Sequence, residues 1–191
     1  MEIDDVQIRR YLRLYGRAPG AALEERIKAM REAADAAMRP ARTWRRFDDP
    51  FAAGGKDSES LKKHLAGCHA AYLVCTTIGT GFDALQRRTA AISPSDAFVL
   101  QAIGAAAIEA WTDETELEIR RELQPDEELV ERYSPGYGDY PLAAQRELLG
   151  LLDAPRTVGV SLTDALVMVP SKSVSAVIGV RRKTASAPAT P

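Results

Sequence analysis

The stretch Arg132 to Pro141, Arg-Tyr-Ser-Pro-Gly-Tyr-Gly-Asp-Tyr-Pro, gathers a guanidinium, a carboxylate and phenols on a backbone that has to bend. Gly136 and Gly138 permit positive φ and close ligand approach, Pro135 pre-sets a turn, and Pro141 suits the first position of a helix. A guanidinium grips a carboxylate with two parallel hydrogen bonds, which lysine cannot do, so Arg132 suits an anionic end. Asp139 suits a cationic end, and Tyr137 and Tyr140 offer ring faces and hydroxyls. Such a set can hold a small ligand that carries both charges. Upstream, Glu109 stands in an otherwise apolar stretch, Ala102 to Ala110, where an unpaired charge is costly; it needs a cation, either Arg132 or one on the ligand. A purely structural account of the same residues pairs Arg132 with Glu131 or Asp139 at the surface, makes Tyr137 packing, and puts Glu109 on the solvated face of a long helix.

Other chemistry-bearing residues carry less. His64 and Cys68 are four apart and could share a helical face toward a metal, but Gly67 ends that helix between them. With His69 and Cys75 they match no zinc-finger spacing, so no metal site is assigned. No Gly-x-Ser-x-Gly elbow marks a nucleophile, and two histidines leave little for a triad. Gly79-Thr80-Gly81 lacks the Lys-Ser/Thr ending of a P-loop and is assigned a tight strand-to-helix turn.

The elements that must position the loop follow from periodicity and punctuation. An amphipathic helix is predicted from Ile3 to Tyr15, capped by Asp4 or Asp5, with Ile3, Val6, Tyr11, Leu14 and Tyr15 partly aligned and Gly16 beyond its end. A second helix, Ala22 to Met38, repeats Leu23, Ile27, Met30, Ala34 and Met38 and stops before Pro40. Short strands are predicted at Thr43 to Phe47 and, more buried, at Ala71 to Ile78; a short helix from Ser58 to Ala66 ends at Gly67. Phe82 to Ala91 is helical. Ser93-Pro94 caps and opens the longest helix, which runs to about Leu123 and whose alanines and Gly104 let neighbours approach closely. A strand at Leu129 to Arg132 feeds the loop, and Pro141 opens a helix. Val158 to Val160, Leu166 to Val169 and Val174 to Val180 are predicted as strands in antiparallel pairs. The fold class is α+β, with long helices packed on a mainly antiparallel sheet in one domain over residues 1–180. The basic, then Pro-rich end, residues 181–191, is predicted as a disordered tail.

With 191 residues the chain suits one core, and its charge of −2 gives no general attraction to nucleic acid. Charges interrupt the apolar runs before membrane length, so no membrane partner is expected. The acidic start, without a basic and apolar leader, points to the cytoplasm.

Arg132 followed by Pro135-Gly136-Tyr137 and Pro141 resembles the Arg-x-x-x-Gly-Tyr segment of the activation domain of cobalamin-dependent methionine synthase. Gly159-Val160-Ser161-Leu162-Thr163-Asp164, then Met168-Val169-Pro170 and Ser173-Val174-Ser175-Ala176, resemble that family's later segments in order and spacing; Ala107-Ile108-Glu109-Ala110-Trp111 resembles its Ala-Glu-Ala-Phe helix. Tyr11-Leu12 and Thr76-Thr77-Ile78-Gly79 resemble its shorter, free-standing members. Val177-Ile178-Gly179 departs from the family, which has aromatics there, and no residue aligns with the aspartate near the start of the family's domain. The resemblance implies S-adenosylmethionine bound by Glu109, Arg132, Ser134, Pro135, Gly136 and Tyr137, with Tyr137 beside the sulfonium as the catalytic residue. It also implies that the cobalamin is carried by a partner, a corrinoid-binding methionine synthase subunit, since 191 residues leave no room for its other domains. An electron donor such as flavodoxin or ferredoxin would supply one electron while the methyl group moves to cobalt. The alternative is a non-catalytic module that keeps the fold and docks on a corrinoid protein or methyltransferase.

Overall fold

A computed structural model describes residues 3–14 and 16–183. In chain order the elements are α1 (Asp5–Tyr11), α2 (Ala21–Ala37), β1 (Ala41–Phe47), α3 (Glu59–His64), β2 (Cys68–Thr77), α4 (Thr80–Ile92), α5 (Pro94–Arg121), β3 (Glu127–Tyr133), α6 (Gln145–Leu151), α7 (Ala154–Thr157), β4 (Ser161–Leu162), β5 (Met168–Val169) and β6 (Ser173–Arg182). Four strands form an antiparallel sheet in the order β1-β2-β6-β3, and β4 pairs with β5 in a small separate hairpin. The fold is α+β, as the pattern of elements implies.

The sheet is buried on both faces. On one, Tyr72, Val74, Leu129, Ile178 and Val180 pack against Ile119 of α5. On the other, Leu73, Cys75 and Val177 pack under Leu61 and Leu65 of the α3 region and Leu148, Leu149 and Leu152 of the α6 region. The first half of α5 leaves the sheet and becomes the centre of a helical layer, where Leu100, Ile103 and Ala107 meet Ile8, Ala34 and Phe82 of α1, α2 and α4. α5 therefore ties both layers together, and this fixes the face of α5 that looks toward β3.

Gly104 is what allows the close approach in that layer: a Cβ there would lie 2.4 Å from the Phe82 ring, which is itself buried. Gly104→Val is expected to cost about 2 kcal/mol by overpacking, read as a lower midpoint in urea at unchanged slope. An unchanged midpoint would show that Phe82 moves aside freely.

Several expected boundaries shift for physical reasons. α1 stops at Tyr11 because Arg13 takes a left-handed φ of 57°; Ile8 faces the core, while Val6 and Tyr11, expected on the apolar face, are exposed. The Tyr15 end of that helix lies outside the described residues. The cap of α5 is as expected, with the Ser93 hydroxyl accepting from the Asp96 amide and Pro94 in the first turn. Pro141, expected inside a helix, has ψ 133° and precedes a 3-10 turn over Leu142–Ala144, so α6 begins only at Gln145. Val158 to Val160 is not a strand: α7 ends at Thr157, and Val158 and Val160 are buried beneath the sheet. β6 runs through Arg182, beyond the boundary expected at residue 180; the tail from residue 184 lies outside the described residues.

Candidate functional site

Strand side chains alternate, so Leu129 and Arg132, three residues apart, would ordinarily face opposite sides of β3. A bulge changes this. Leu129 pairs with Val180 and Arg132 with Ile178, so β3 spends one residue more than β6 between those pairs, and both side chains face α5. There α5 presents Glu109, Asp113 and Glu116 at four- and three-residue spacing along one face. Arg132 Nη2 donates to Glu109 Oε2 at 2.5 Å, and Nη1 donates to Asp113 Oδ1 at 2.7 Å and Glu116 Oε1 at 2.6 Å. Burial works against the Arg132 charge, but the bonds from Glu116 and Asp113 outweigh it and hold the group above its ordinary pKa.

Concave space flanks this cluster on two sides. A groove of about 550 Å³ between α1 and α5 is lined by Gln7, Tyr11, Glu109, Asp113 and others, and a cleft of about 330 Å³ lies between Glu116, Glu131 and Arg132. Burial and then the Glu109 carboxylate push the Tyr11 phenol above its ordinary pKa, which places it within the field of the cluster.

The loop after β3 is closed on itself. Gly136 N–H donates to Tyr140 O at 2.8 Å, Tyr137 N–H to Ser134 O at 3.2 Å, and Tyr140 N–H to Tyr137 O at 2.9 Å. Gly136 has φ +95°, in the left-handed region that side chains avoid. Pro135 is buried, whereas Gly136 and Tyr137 are exposed. These bonds take up the N–H groups of Gly136, Tyr137 and Tyr140 together with the carbonyls of Ser134, Tyr137 and Tyr140, and leave the exposed Tyr137 ring open to a ligand. The Tyr137 ring meets Tyr133 edge-on at 5.9 Å between centroids, and Tyr133 in turn lies 4.7 Å from His64. Tyr133 follows Arg132 on the strand and faces the α3 side. The structure thus joins Glu109 to Arg132 but carries Ser134 to Tyr137 around the end of the strand, and no hydrogen bond or ring contact links Tyr137 to that pair.

Beside the loop the sheet has a ledge. The last pair of β3 is Tyr133 with Val177, yet β6 begins at Ser173, so the segment from Ser173 to Ala176 has no strand partner on that side. The Ser175 hydroxyl in this segment is buried without a hydrogen-bond partner.

Two residues expected around the ligand do other work. Asp139 accepts from Ser58 Oγ at 2.6 Å, Glu59 N at 2.8 Å and Ser60 N at 3.0 Å, so it caps the start of α3; those bonds hold its carboxyl well below the usual range. Tyr140 is core, with its hydroxyl donating to Ala53 O at 3.0 Å, and burial pushes it up to about 12. The histidines go apart: His64 Nε2 lies 2.6 Å from Glu131 O and His69 Nε2 lies 2.9 Å from Glu127 Oε1. No group of three or more His, Cys, Asp or Glu among the described residues could hold a metal ion, and no helix among them is long and apolar enough to cross a membrane. The sequence reading does not single out Asp113 and Glu116, and it has Tyr11 only on the apolar face of a helix and in a resemblance, not beside Glu109. The helical spacing of the two acids from Glu109 was the available signal.

The chain matches the sequence model of a family described as vitamin B12 dependent methionine synthase, activation domain, over residues 62–186, which include Glu109 and the whole Arg132 to Pro141 loop. No curated protein matches it. Among solved structures, the crystal structure of the MetH reactivation domain bound to AdoHcy is similar at a TM-score of 0.49 and 20% identity, over 61% of this chain and 41% of that one. The likeness therefore spans less than half of that protein's chain.

Proposed function

The chain belongs to the family of activation domains of vitamin B12 dependent methionine synthase, and from that premise we propose that it binds S-adenosylmethionine and serves as a reactivation subunit for a cobalamin held by a separate methionine synthase. The observation that carries the reading is the pairing of Glu109 with Arg132 at 2.5 Å, opposite charges flanked by a groove and a cleft inside the matched region. The amino-acid end of S-adenosylmethionine carries a carboxylate, which the guanidinium suits, and an ammonium, which Glu109 suits.

When bound, the ligand supplies a methyl group on a sulfonium. The work left to the chain is binding and aim. Arg132 and Glu109 fix the amino-acid end, and the ligand reaches around the end of β3 to the loop, where the exposed Tyr137 ring is the π-face open to a sulfonium. The corrinoid comes on the partner, and a donor such as flavodoxin or ferredoxin provides the electron. Holding the reactants in a productive geometry is then the catalytic demand on the chain.

Calorimetry tests this. S-Adenosylmethionine should bind the purified protein, and Glu109→Gln should weaken it about tenfold by removing the counter-charge of the ammonium. Absence of binding to the unaltered protein, with the corrinoid partner present or absent, sinks the proposal. The engagement of Arg132 by three carboxylates favours a second reading, a docking module whose arginine is purely structural. Recovery of a corrinoid protein by the immobilised chain, with no heat from S-adenosylmethionine, selects it.

A further inference from the structure

Resting on the reading of Arg132 and Glu109 above, we infer that Asp113 and Glu116 act as an internal substitute for the ligand's carboxylate, and that Asp113 must let go of Arg132 for the ligand to bind. A guanidinium has five N–H groups, and Nη1 has two of them. Both are committed, one to Asp113 and one to Glu116. An incoming carboxylate that takes two parallel bonds from the Nη1–Nη2 edge can do so only when at least one acid withdraws.

The two acids are not equivalent. Asp113 keeps 63% of its side chain exposed and Glu116 only 14%. Returning Asp113 to water costs little, because an exposed ion pair is worth little to begin with. Releasing Glu116 would strand a carboxylate away from water, so Glu116 stays and fixes the direction of the guanidinium. Glu109, 42% exposed, is free to turn toward an ammonium. Ligand entry is then an exchange of partners: the ligand's carboxylate replaces Asp113 on Arg132, and its ammonium takes up Glu109. In the free protein the same contacts keep Arg132 aligned across from α5, and the price is a built-in competitor.

The sign of one substitution separates this from ordinary charge attraction. Asp113→Asn keeps the shape of the side chain and weakens the competitor. Removing a negative charge near a site for a cationic ligand should otherwise loosen binding. S-Adenosylhomocysteine has the same amino-acid end and a neutral sulfur, so the competing charge effect is smallest with it. Methylthioadenosine lacks the amino-acid end entirely.

The experiment is calorimetry of the unaltered chain, Asp113→Asn, Glu116→Gln and Arg132→Ala with these two probes. S-Adenosylhomocysteine should bind Asp113→Asn about fivefold tighter than the unaltered chain, and methylthioadenosine should bind both alike. Glu116→Gln should not tighten binding to the same degree, since it loses the alignment of the guanidinium along with a competitor. Equal or weaker binding of S-adenosylhomocysteine to Asp113→Asn overturns the inference. If Arg132→Ala abolishes binding while Asp113→Asn gains nothing, only the exchange is wrong. If Arg132→Ala binds S-adenosylhomocysteine as well as the unaltered chain, or neither binds it, the assignment of the site falls and the exchange with it.

Discussion

Arg132→Ala is expected to raise the dissociation constant for S-adenosylmethionine by about a hundredfold or more. Two charge-assisted hydrogen bonds to the ligand's carboxylate are lost, each worth about 1.5–3 kcal/mol, and about 2.7 kcal/mol is a hundredfold in affinity. Part of the effect would be indirect. Without the guanidinium, Glu109, Asp113 and Glu116 repel one another along α5, where like charges at that spacing destabilise by a few tenths of a kcal/mol per pair. The largely buried Glu116 also loses its counter-charge, so the melting midpoint falls by more than that repulsion alone predicts, and calorimetry well below the midpoint reads the loss of affinity separately. Arg132→Lys restores a charge without the planar fork and should recover the melt but only a minor share of the affinity. Retention of ligand affinity within a factor of three in Arg132→Ala would exclude this residue from the site.

The second large effect lies at the opposite end of β3, in Glu127. Its side chain is buried, and both of its oxygens are engaged by Arg46, at 2.9 and 2.6 Å, while His69 and the Gln124 amide bond it as well. The bonds from Arg46, opposed by burial and aided by Gln124 and His69, hold the carboxyl well below the usual range. Since the folded value is depressed, the stabilisation is fully present above the unfolded carboxylate pKa, about 4.3, and is lost as pH falls below it toward the folded value. Glu127→Gln is expected to cost about 2–3 kcal/mol at neutral pH, below the roughly 3–5 kcal/mol of a fully buried pair because Arg46 keeps 32% of its side chain exposed. Urea denaturation across acid pH checks both parts. The unaltered protein should lose stability more steeply below about pH 5 than Glu127→Gln does, and parallel curves would remove Glu127 as the source of that acid sensitivity.

What could be read from the chain differed by the range of the interaction involved. Local devices were legible: Ser93-Pro94 capping α5, Gly67 turning α3 into β2, and the glycines and prolines that shape the loop after Arg132. Glu109 was rightly given a cation, because an acid in a run of alanines demands one, and the cation is Arg132. Long-range substitutions were not legible. Asp139 caps a helix that lies some eighty residues earlier, and nothing near it in sequence distinguishes that role from ligand binding. The bulge in β3 was equally hidden, since a strand pattern read with period two puts Arg132 on the face away from α5. Val158 to Val160 has strand-like composition, yet Asp153 adopts a left-handed φ of 48° and Pro155 suits a first turn, so a short helix forms just before it. The solvated-face account of Glu109 also holds in part, since its side chain is 42% exposed even though Arg132 pairs with it.

Among the described residues β3 is the outermost strand of its sheet, so whatever hangs from its final residues stands at the sheet's rim, with no further strand among those residues to screen it. A corrin is broad and flat and cannot enter a narrow shaft. Under the proposed function a rim needs no opening movement: the wide planar partner would be laid against it edge to edge, and withdrawn again, with the main sheet left intact.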